Sequence, residues 1–506
     1  MDGNVATQAI EILQWLQKQG VDVTGLCTDS RALAPGEVFL AYPGEKQDGR
    51  RHIDEALAKG AHAVLWERTG FEWKTDWRVP NLPVAGLRSL AGHLAHEVYG
   101  RPSEAMWVAG VTGTNGKTST SQWIAQALGR CGVRCAVIGT LGIGFPEQLH
   151  ASLNTTPDAV LLHRSLAGLK SRGALAVSME ASSIGLDQGR VNGVRFSAAL
   201  FTNLTRDHLD YHRDMERYGR AKRRLFEMPG LKHAVLNMDD VQGVSIASAL
   251  GASGAERIGY SAFEGGASRA GLERFLEARE VATGAGGIAF RVASSWGEAR
   301  IESALIGRFN VSNLLGVLGM LLVRGVGLAP AARSLAQLEP APGRLQRLGG
   351  GDRPLVVVDY AHTPDALEQV LIALKEVARA NGGTLAVVFG CGGERDRGKR
   401  PIMGAVAARH ADRIVITSDN PRGEDPVVIL QDIGAGANQA GAVEDRAPWV
   451  EKDRARAVAL AIEHASVRDV VLLAGKGHEG YQEIAGRRLP YSDADEAERA
   501  LLGWKP

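Results

Sequence analysis

The chain has 506 residues, 45% of them hydrophobic and 23% charged, with a formal net charge of +1. That length is too great for one core and, at ~150 residues per domain, corresponds to about three. The near-neutral balance excludes a global field that recruits nucleic acid or an anionic membrane, so any anion site must be local.

The start, MDGNVATQAI, lacks the basic and apolar regions of a secretory signal, and the longest apolar run, residues 314–323, is well short of the ~20 residues of a bilayer span. Cys27, Cys131, Cys135 and Cys391 are scattered, and Cys131 and Cys135 have no second ligand pair. This argues against structural zinc and for a reducing cytoplasm. Two Pro/Gly-punctuated breaks, at 99–103 and 339–343, divide the chain into modules 1–102, 103–340 and 341–506.

The middle module opens on an apolar stretch, 106–111, followed by GVTGTNGKTS at 110–119 and an amphipathic helical pattern over 119–128. Glycines let backbone N–H groups approach phosphates, Lys117 supplies positive charge, Thr118 offers a hydroxyl for Mg²⁺, and the helix N-terminus points at the anion. Val111 stands where the strict phosphate-loop pattern has its first glycine. Further buried-strand patterns cover 133–138, 175–179 and 198–204. Residues 251–287, rich in glycine and alanine with weak periodicity, read as a peripheral β or loop insertion. In the last module, strand patterns at 355–358, 385–389, 413–417 and 470–473 alternate with helical ones at 364–380 and 401–410. The reading is α/β: a central P-loop ATPase-like parallel sheet, a C-terminal Rossmann-like sheet and a smaller N-terminal α/β domain.

Polar residues cluster just after these strands, where an open parallel sheet binds ligands. Glu180 follows strand 175–179 and suits a Walker-B-type carboxylate or, equally, a loop acid. TRDHLDYH at 205–212 packs two His and two Asp into eight residues; a solvated polar loop is the alternative. Lys222 lies in the basic stretch RAKRRLF, which by itself reads as solvent-exposed. DYAHTP at 359–364, GCGGERDRGKR at 390–400, SDNPR at 418–422 and GKGHE at 475–479 form four polar loops on one sheet edge. An Asx-type turn is the plain alternative for DNPR.

Together with NTTP at 154–157, EASS at 180–183 and GRFNVSN at 307–313, these segments resemble the Mur ligases over essentially the whole chain. Ile184 departs from the histidine that relatives often carry after the paired serines. The resemblance implies a three-domain, ATP- and Mg²⁺-dependent amide ligase, cytoplasmic and monomeric, with no nucleic acid or membrane partner. Its substrates would be UDP-N-acetylmuramoyl-L-Ala-D-Glu and an amino acid. Thr28, Ser30, Glu45, Lys46 and Gln47 would hold the UDP end; Asn154, Thr155, Thr156, Ser182, Gln188 and Arg190 would hold the muramoyl-peptide. Gly113, Thr114, Asn115, Gly116, Lys117, Thr118 and Ser119, with Asn310, Arg344 and Asp359, would hold ATP. Catalysis would fall to Lys117, Glu180, His208 and Lys222. Thr118, Glu180, His208 and Lys222 would stand near the metal, Lys222 as a CO₂-derived carbamate. Arg395, Asp419, Asn420, Pro421, Arg422, Gly475 and Glu479 would hold the incoming amino acid.

The substrate carboxylate and the ATP γ-phosphate are both anions, so Lys117 and Mg²⁺ must screen them before an acyl phosphate forms. Arg422 favours meso-diaminopimelate over lysine, because a guanidinium grips the second carboxylate through two parallel hydrogen bonds. The competing class is a phosphate-loop switch that hydrolyses nucleotide without joining substrates.

Overall fold

The computed structural model describes residues 2–45, 47–251, 254–284, 286–440 and 447–505. Lys46, expected at the UDP end, lies outside them.

Three parallel-rich sheets follow one another along the chain. The first is β1 (Leu26–Cys27), β2 (Val38–Ala41), β3 (Ala63–Glu67) and β4 (Asn81–Val84), in spatial order 1-2-3-4 and parallel throughout. Successive residues go to opposite faces: Val38 and Leu40 join one buried cluster, Phe39 and Ala41 the other. The helices Asp2–Lys18 and Leu87–Val98 cover the first cluster.

The second sheet holds eleven strands: β5 (Trp107–Thr112), β6 (Cys135–Gly139), β7 (Gly142–Phe145), β8 (Gln148–His150), β9 (Ala176–Glu180), β10 (Ala198–Phe201), β11 (His233–Asn237), β12 (Glu256–Ser261), β13 (Arg274–Gly284), β14 (Gly287–Ser294) and β15 (Gly297–Ser303). Their order is 15-14-13-12-11-10-5-9-6-7-8, parallel from β13 to β6 with antiparallel hairpins at both edges. Val111 and Ala109 feed the core on one face, Val108 on the other. Burial on both faces explains why these strands read as continuous apolar runs. The chain leaves β5 toward β6 and β9 on one side and returns to β10 on the other, so the loop after β5 sits at the sheet's switch point, where such sheets open a crevice.

The expectation of a peripheral insertion over 251–287 is corrected. β12 and β13 continue the main parallel sheet, and Tyr260 is fully buried with its hydroxyl donating to Phe201 O at 2.9 Å. Glycines dilute the periodicity there without removing the inward-facing residues Ile258, Tyr260, Leu276 and Ala278.

The third sheet contains β16 (Gln346–Gly349), β17 (Leu355–Asp359), β18 (Leu385–Phe389), β19 (Arg413–Ile416), β20 (Trp449–Val450) and β21 (Val470–Ala474), in order 16-17-21-18-19-20, with only β16 antiparallel. A separate hairpin pairs β22 (Tyr481–Ile484) with β23 (Arg487–Pro490). The helix Pro364–Ala380 starts where the sequence places it: Thr363 Oγ1 accepts from Ala366 N at 3.3 Å and proline takes the first turn. The punctuated segments are docked rather than loose. Ser103 Oγ accepts from Arg195 N, and Trp123 Nε1 donates to Glu339 O at 2.8 Å.

Candidate functional site

The loop after β5 is built by backbone freedom. Gly116 has φ +85° and caps the helix Lys117–Arg130, and a Cβ on it would lie 2.6 Å from Asn313 Oδ1. Gly113, at φ +151°, has no room either: a Cβ would fall 1.8 Å from Thr202 Oγ1. Only glycine fits both places. Lys117 Nζ donates to Gly113 O and Thr114 O, each at 2.9 Å, tying the loop into a ring. Thr118 Oγ1 donates to Glu180 Oε2 at 2.9 Å, and Arg344 Nη2 donates to Thr118 Oγ1 at 3.0 Å.

Glu180, buried at the end of β9, also accepts from Thr140 N at 2.8 Å and Thr140 Oγ1 at 3.2 Å. Thr140 is a site residue that sequence reasoning did not single out. The hard oxygens of Thr118 and Glu180 fit Mg²⁺. Among the described residues no group of three or more His, Cys, Asp or Glu could hold a metal ion.

Lys222, on the helix Met215–Arg223, is buried, against the solvent exposure its basic neighbours suggest. Its Nζ donates to Gly113 O at 2.6 Å and lies 4.3 Å from the centre of the Tyr218 ring. Burial, followed by the nearby Lys117 charge, pushes its pKa well down. Burial likewise lowers Lys117, against the pull of Glu180. His208, in the left-handed region at φ +52°, has its Nε2 3.4 Å from Asp207 Oδ2. Burial brings its pKa down to about 4 despite Asp207, so the ring is neutral at pH 7.

Asn310 and Asp359 serve the frame. Asn310 Nδ2 donates to Ile306 O, and its Oδ1 accepts from Asn313 Nδ2; Asn313, not Asn310, is the side chain facing Gly116. Asp359 accepts from Leu345 N and Ala361 N, both at 2.8 Å, fixing the segment that carries Arg344. Ser119 is half-buried beside Thr118 at the helix start.

The third sheet's loops meet this edge directly. Asn115 Nδ2 donates to Asp365 Oδ2 at 2.9 Å, and Arg206 pairs with Asp396 at 3.0 Å. His362 Nε2 lies 3.7 Å from Asp207 Oδ2, and Arg395 Nη1 lies 3.7 Å from Asp210 Oδ2. The dense 205–212 loop is therefore an interface between two sheet edges rather than a solvated loop.

On the N-terminal side, Gln188 Nε2 donates to Glu45 Oε1 at 2.5 Å, and Arg190 donates to Gln188 Oε1 and to Thr156 O. Thr156 Oγ1 donates to Glu180 O at 2.9 Å and accepts from Ser182 N, while Thr155 and Thr140 hydroxyls meet at 3.0 Å. A continuous polar path thus runs from the N-terminal sheet to Glu180. Thr28 Oγ1 donates to Asp158 Oδ1 at 3.4 Å and Ser30 Oγ to Glu55 Oε2 at 2.7 Å; Gln47 and Asn154 are exposed.

On the other side, Asp419, Asn420 and Glu479 converge with Lys476 between β19 and β21. Burial works to raise Asp419, and Lys476 and Arg454 outweigh it, holding the carboxyl below its usual range. Gly475 N donates to Asp359 O, and the residue's φ of +111° turns the chain away from β21. Arg422, at φ +52°, is braced by the β22–β23 hairpin: its N donates to Glu483 O and its O accepts from Ala485 N. Its Nη1 donates to Gly393 O at 2.8 Å, and a Cβ on Gly392 would lie between it and Arg395. Pro421 O closes against Gly393. DNPR is thus a braced arginine mount, where a free Asx turn was the plain alternative.

The glycine loop with Glu180, a polar path on one side and the charged Asp419–Lys476–Glu479 cluster on the other suit a nucleotide-dependent ligase. Comparison with known families narrows it. Residues 22–99 match the Mur ligase family catalytic domain, 111–321 the Mur ligase middle domain, and 343–477 the Mur ligase glutamate ligase domain. The chain belongs to the Mur ligase family. It is 50% identical over 490 residues to the UDP-N-acetylmuramoyl-L-alanyl-D-glutamate–2,6-diaminopimelate ligase of Chromobacterium violaceum, covering 97% of this chain and 96% of the relative. The enzyme of that name from Pseudomonas aeruginosa is 50% identical over 480 residues, covering 95% of each. A solved structure of a ligase with this name is 37% identical, covers 95% of both chains and superposes with a TM-score of 0.65. The MurF ligase of Thermotoga maritima in complex with ADP, at 17% identity and a TM-score of 0.63, shares the fold.

Proposed function

We propose that this chain is an ATP-dependent amide ligase that joins meso-2,6-diaminopimelate to the γ-carboxylate of D-Glu in UDP-N-acetylmuramoyl-L-Ala-D-Glu, a step in making the peptidoglycan precursor. The relatives that are 50% identical over nearly the full length support the reaction. The observation that carries the choice of amino acid is the braced Arg422 beside Asp419, Asn420 and Glu479.

The chemistry follows from charge. A carboxylate oxygen of the substrate attacks the γ-phosphorus of ATP and ADP leaves. The diaminopimelate nitrogen then attacks the acyl carbon, inorganic phosphate leaves, and the nitrogen sheds a proton. Lys117 must turn from the carbonyls of Gly113 and Thr114 to the phosphates to offset their charge. Glu180 and Thr118 would hold Mg²⁺, which supplies charge neutralisation between phosphate and carboxylate. The ion pairs joining the 205–212 loop to the third sheet hold the two sheet edges together beside the phosphate loop. Closure of these edges over bound substrates would keep out the water that hydrolyses an acyl phosphate.

Lys222 fits the carbamate role. Burial pushes its pKa well down, which favours the neutral amine that would add to CO₂; the nitrogen would lose a proton and the product would be a carboxylate-like oxygen ligand. As an ammonium it only donates, so without this step it would be no metal ligand. His208 would stand near Mg²⁺ as a neutral ring. The three sheets and their cores support domains at 1–102, 103–340 and 341–506. Thr28, Ser30, Glu45, Lys46, Gln47 and Asn154 are assigned to the UDP-peptide cleft, and we take the enzyme as a cytoplasmic monomer. Among the described residues no helix is long and apolar enough to cross a membrane, and the four cysteines are unpaired.

The test is product analysis: purified protein with ATP, Mg²⁺ and the UDP-dipeptide, given meso-diaminopimelate or L-lysine separately, weighed by mass spectrometry. Tripeptide only with diaminopimelate is expected. Product only with lysine refutes the role of Arg422, and phosphate release at full rate without either co-substrate refutes the ligase reading.

A further inference from the structure

Lys476 received no role from the resemblance, yet it bonds three of the residues assigned to the incoming amino acid. Its side chain has no solvent exposure. The ammonium meets Asn420 Oδ1 at 3.0 Å, Glu479 Oε2 at 3.1 Å and Asp419 Oδ1 at 3.3 Å. An ammonium has three N–H donors, and here each has one acceptor. The Tyr481 ring centre stands 5.8 Å away. Asn420 Nδ2 closes the set by donating to Glu479 Oε2 at 2.9 Å.

Every acceptor of Lys476 belongs to a residue assigned to the incoming amino acid. Burying two carboxylates side by side without compensation is costly; they would share a proton or capture an unselected cation. One lysine between them leaves a single net negative charge, matched to one substrate ammonium. Arg422, on the adjacent loop with its Nε 3.6 Å from Glu483 Oε2, is assigned the substrate carboxylate.

We propose that Lys476 is the positioning residue that sets the charge of this pocket, so that it accepts one ammonium and one carboxylate, the free amino-acid end of the incoming substrate. The inference rests on the proposed ligase reaction. It adds that selectivity comes from an internal cation that aims Asp419, Asn420 and Glu479 and offsets their charge, as well as from Arg422.

The experiment uses the full chain and steady-state kinetics of Lys476→Met, Glu479→Gln and the double variant, with thermal melting of each. Wild type is first assayed with both amino acids, and the variants are read with whichever it uses. Failure of the ligase assignment is thereby seen in wild type alone. Lys476→Met is expected to raise KM for the amino acid ~100-fold or more, the scale of an uncompensated buried carboxylate. KM for ATP and for the UDP-dipeptide should stay within about twofold, since none of the three acceptors of Lys476 is assigned to either substrate. Adding Glu479→Gln removes one negative charge with nearly the same shape and should recover at least ~10-fold of the lost KM relative to Lys476→Met. If Lys476→Met does not fold, a folded double variant with a measurable amino-acid KM supports charge matching. The proposal is overturned if all three KM values rise together, if the amino-acid KM does not move, if the double variant is no better than the single, or if neither folds.

Discussion

Replacing Arg454 with methionine should unfold the amino-acid side of the protein locally, and removing Asp493 as well should partly restore it. Both side chains have no solvent exposure. Arg454 Nε and Nη2 donate to the two Asp493 oxygens at 2.8 and 2.7 Å. The same guanidinium donates to Ala474 O at 2.9 Å and Ser418 O at 3.3 Å, the carbonyls just before Gly475 and Asp419. It is therefore a brace that sets the distance between the ends of β19 and β21. In Arg454→Met the Asp493 carboxylate keeps, among the described side chains, the Tyr491 hydroxyl at 2.9 Å. A buried charge stranded in this way costs about 3–5 kcal/mol. In Arg454→Met with Asp493→Leu no charge is stranded, and the loss falls to that of the unpaired carbonyls, about 1–3 kcal/mol. The double variant should thus be more stable than the single one by ~2 kcal/mol. Hydrogen exchange of the β21 amides reads this locally, without assuming that a chain with three sheets unfolds in one step. The KM for diaminopimelate should rise in both variants while that for ATP holds. Wild-type protection in the single variant, or a double variant weaker than the single, would refute the argument.

Three further outcomes follow from the site. Arg422→Ala should reduce kcat/KM for diaminopimelate by roughly 10–100-fold, the scale of one charge-assisted contact, and affect lysine little; equal losses for both would remove its selective role. Lys222→Ala should lose activity that short carboxylic acids partly return, because they supply the missing oxygen ligand; no return at any concentration counts against the carbamate. His163 is buried with its Nε2 2.9 Å from Asn192 O, and burial depresses its pKa to about 3. Above the unfolded value of about 6.5 it is neutral in both states and contributes nothing to pH dependence. As pH falls from there toward 3 the unfolded chain takes the proton first, so stability declines by up to ~1.4 kcal/mol per pH unit from this group. His163→Gln should flatten that slope in pH-dependent melts, and an unchanged slope would assign it elsewhere.

The phosphate loop was legible because its chemistry is local. Gly116, Lys117 and Thr118 are adjacent, and their geometry depends on a left-handed glycine and a helix start that neighbouring residues encode. The strands were legible because burial on both faces leaves runs such as VVLLA at 470–474, and the helix Pro364–Ala380 because Thr363 and Pro364 announce it. Those strand patterns also placed Glu180 and Arg422 just beyond strand ends, and the resemblance supplied the roles expected of them. Residues 251–287 misled because glycine erased the period while Tyr260 still had a core to enter.

What the sequence by itself determined was the order of elements, the loop that faces a nucleotide and the polar residues at each strand end. What only the tertiary structure decided was which of those residues meet. Arg454 and Asp493 lie 39 positions apart, Lys476 and Asp419 57, and Asn115 and Asp365 250. The burial of Lys222 was equally hidden inside a basic stretch. The reason is physical: backbone preferences and alternation act over a few residues, whereas charge compensation acts through space, and only the packed sheets bring those charges within reach of each other.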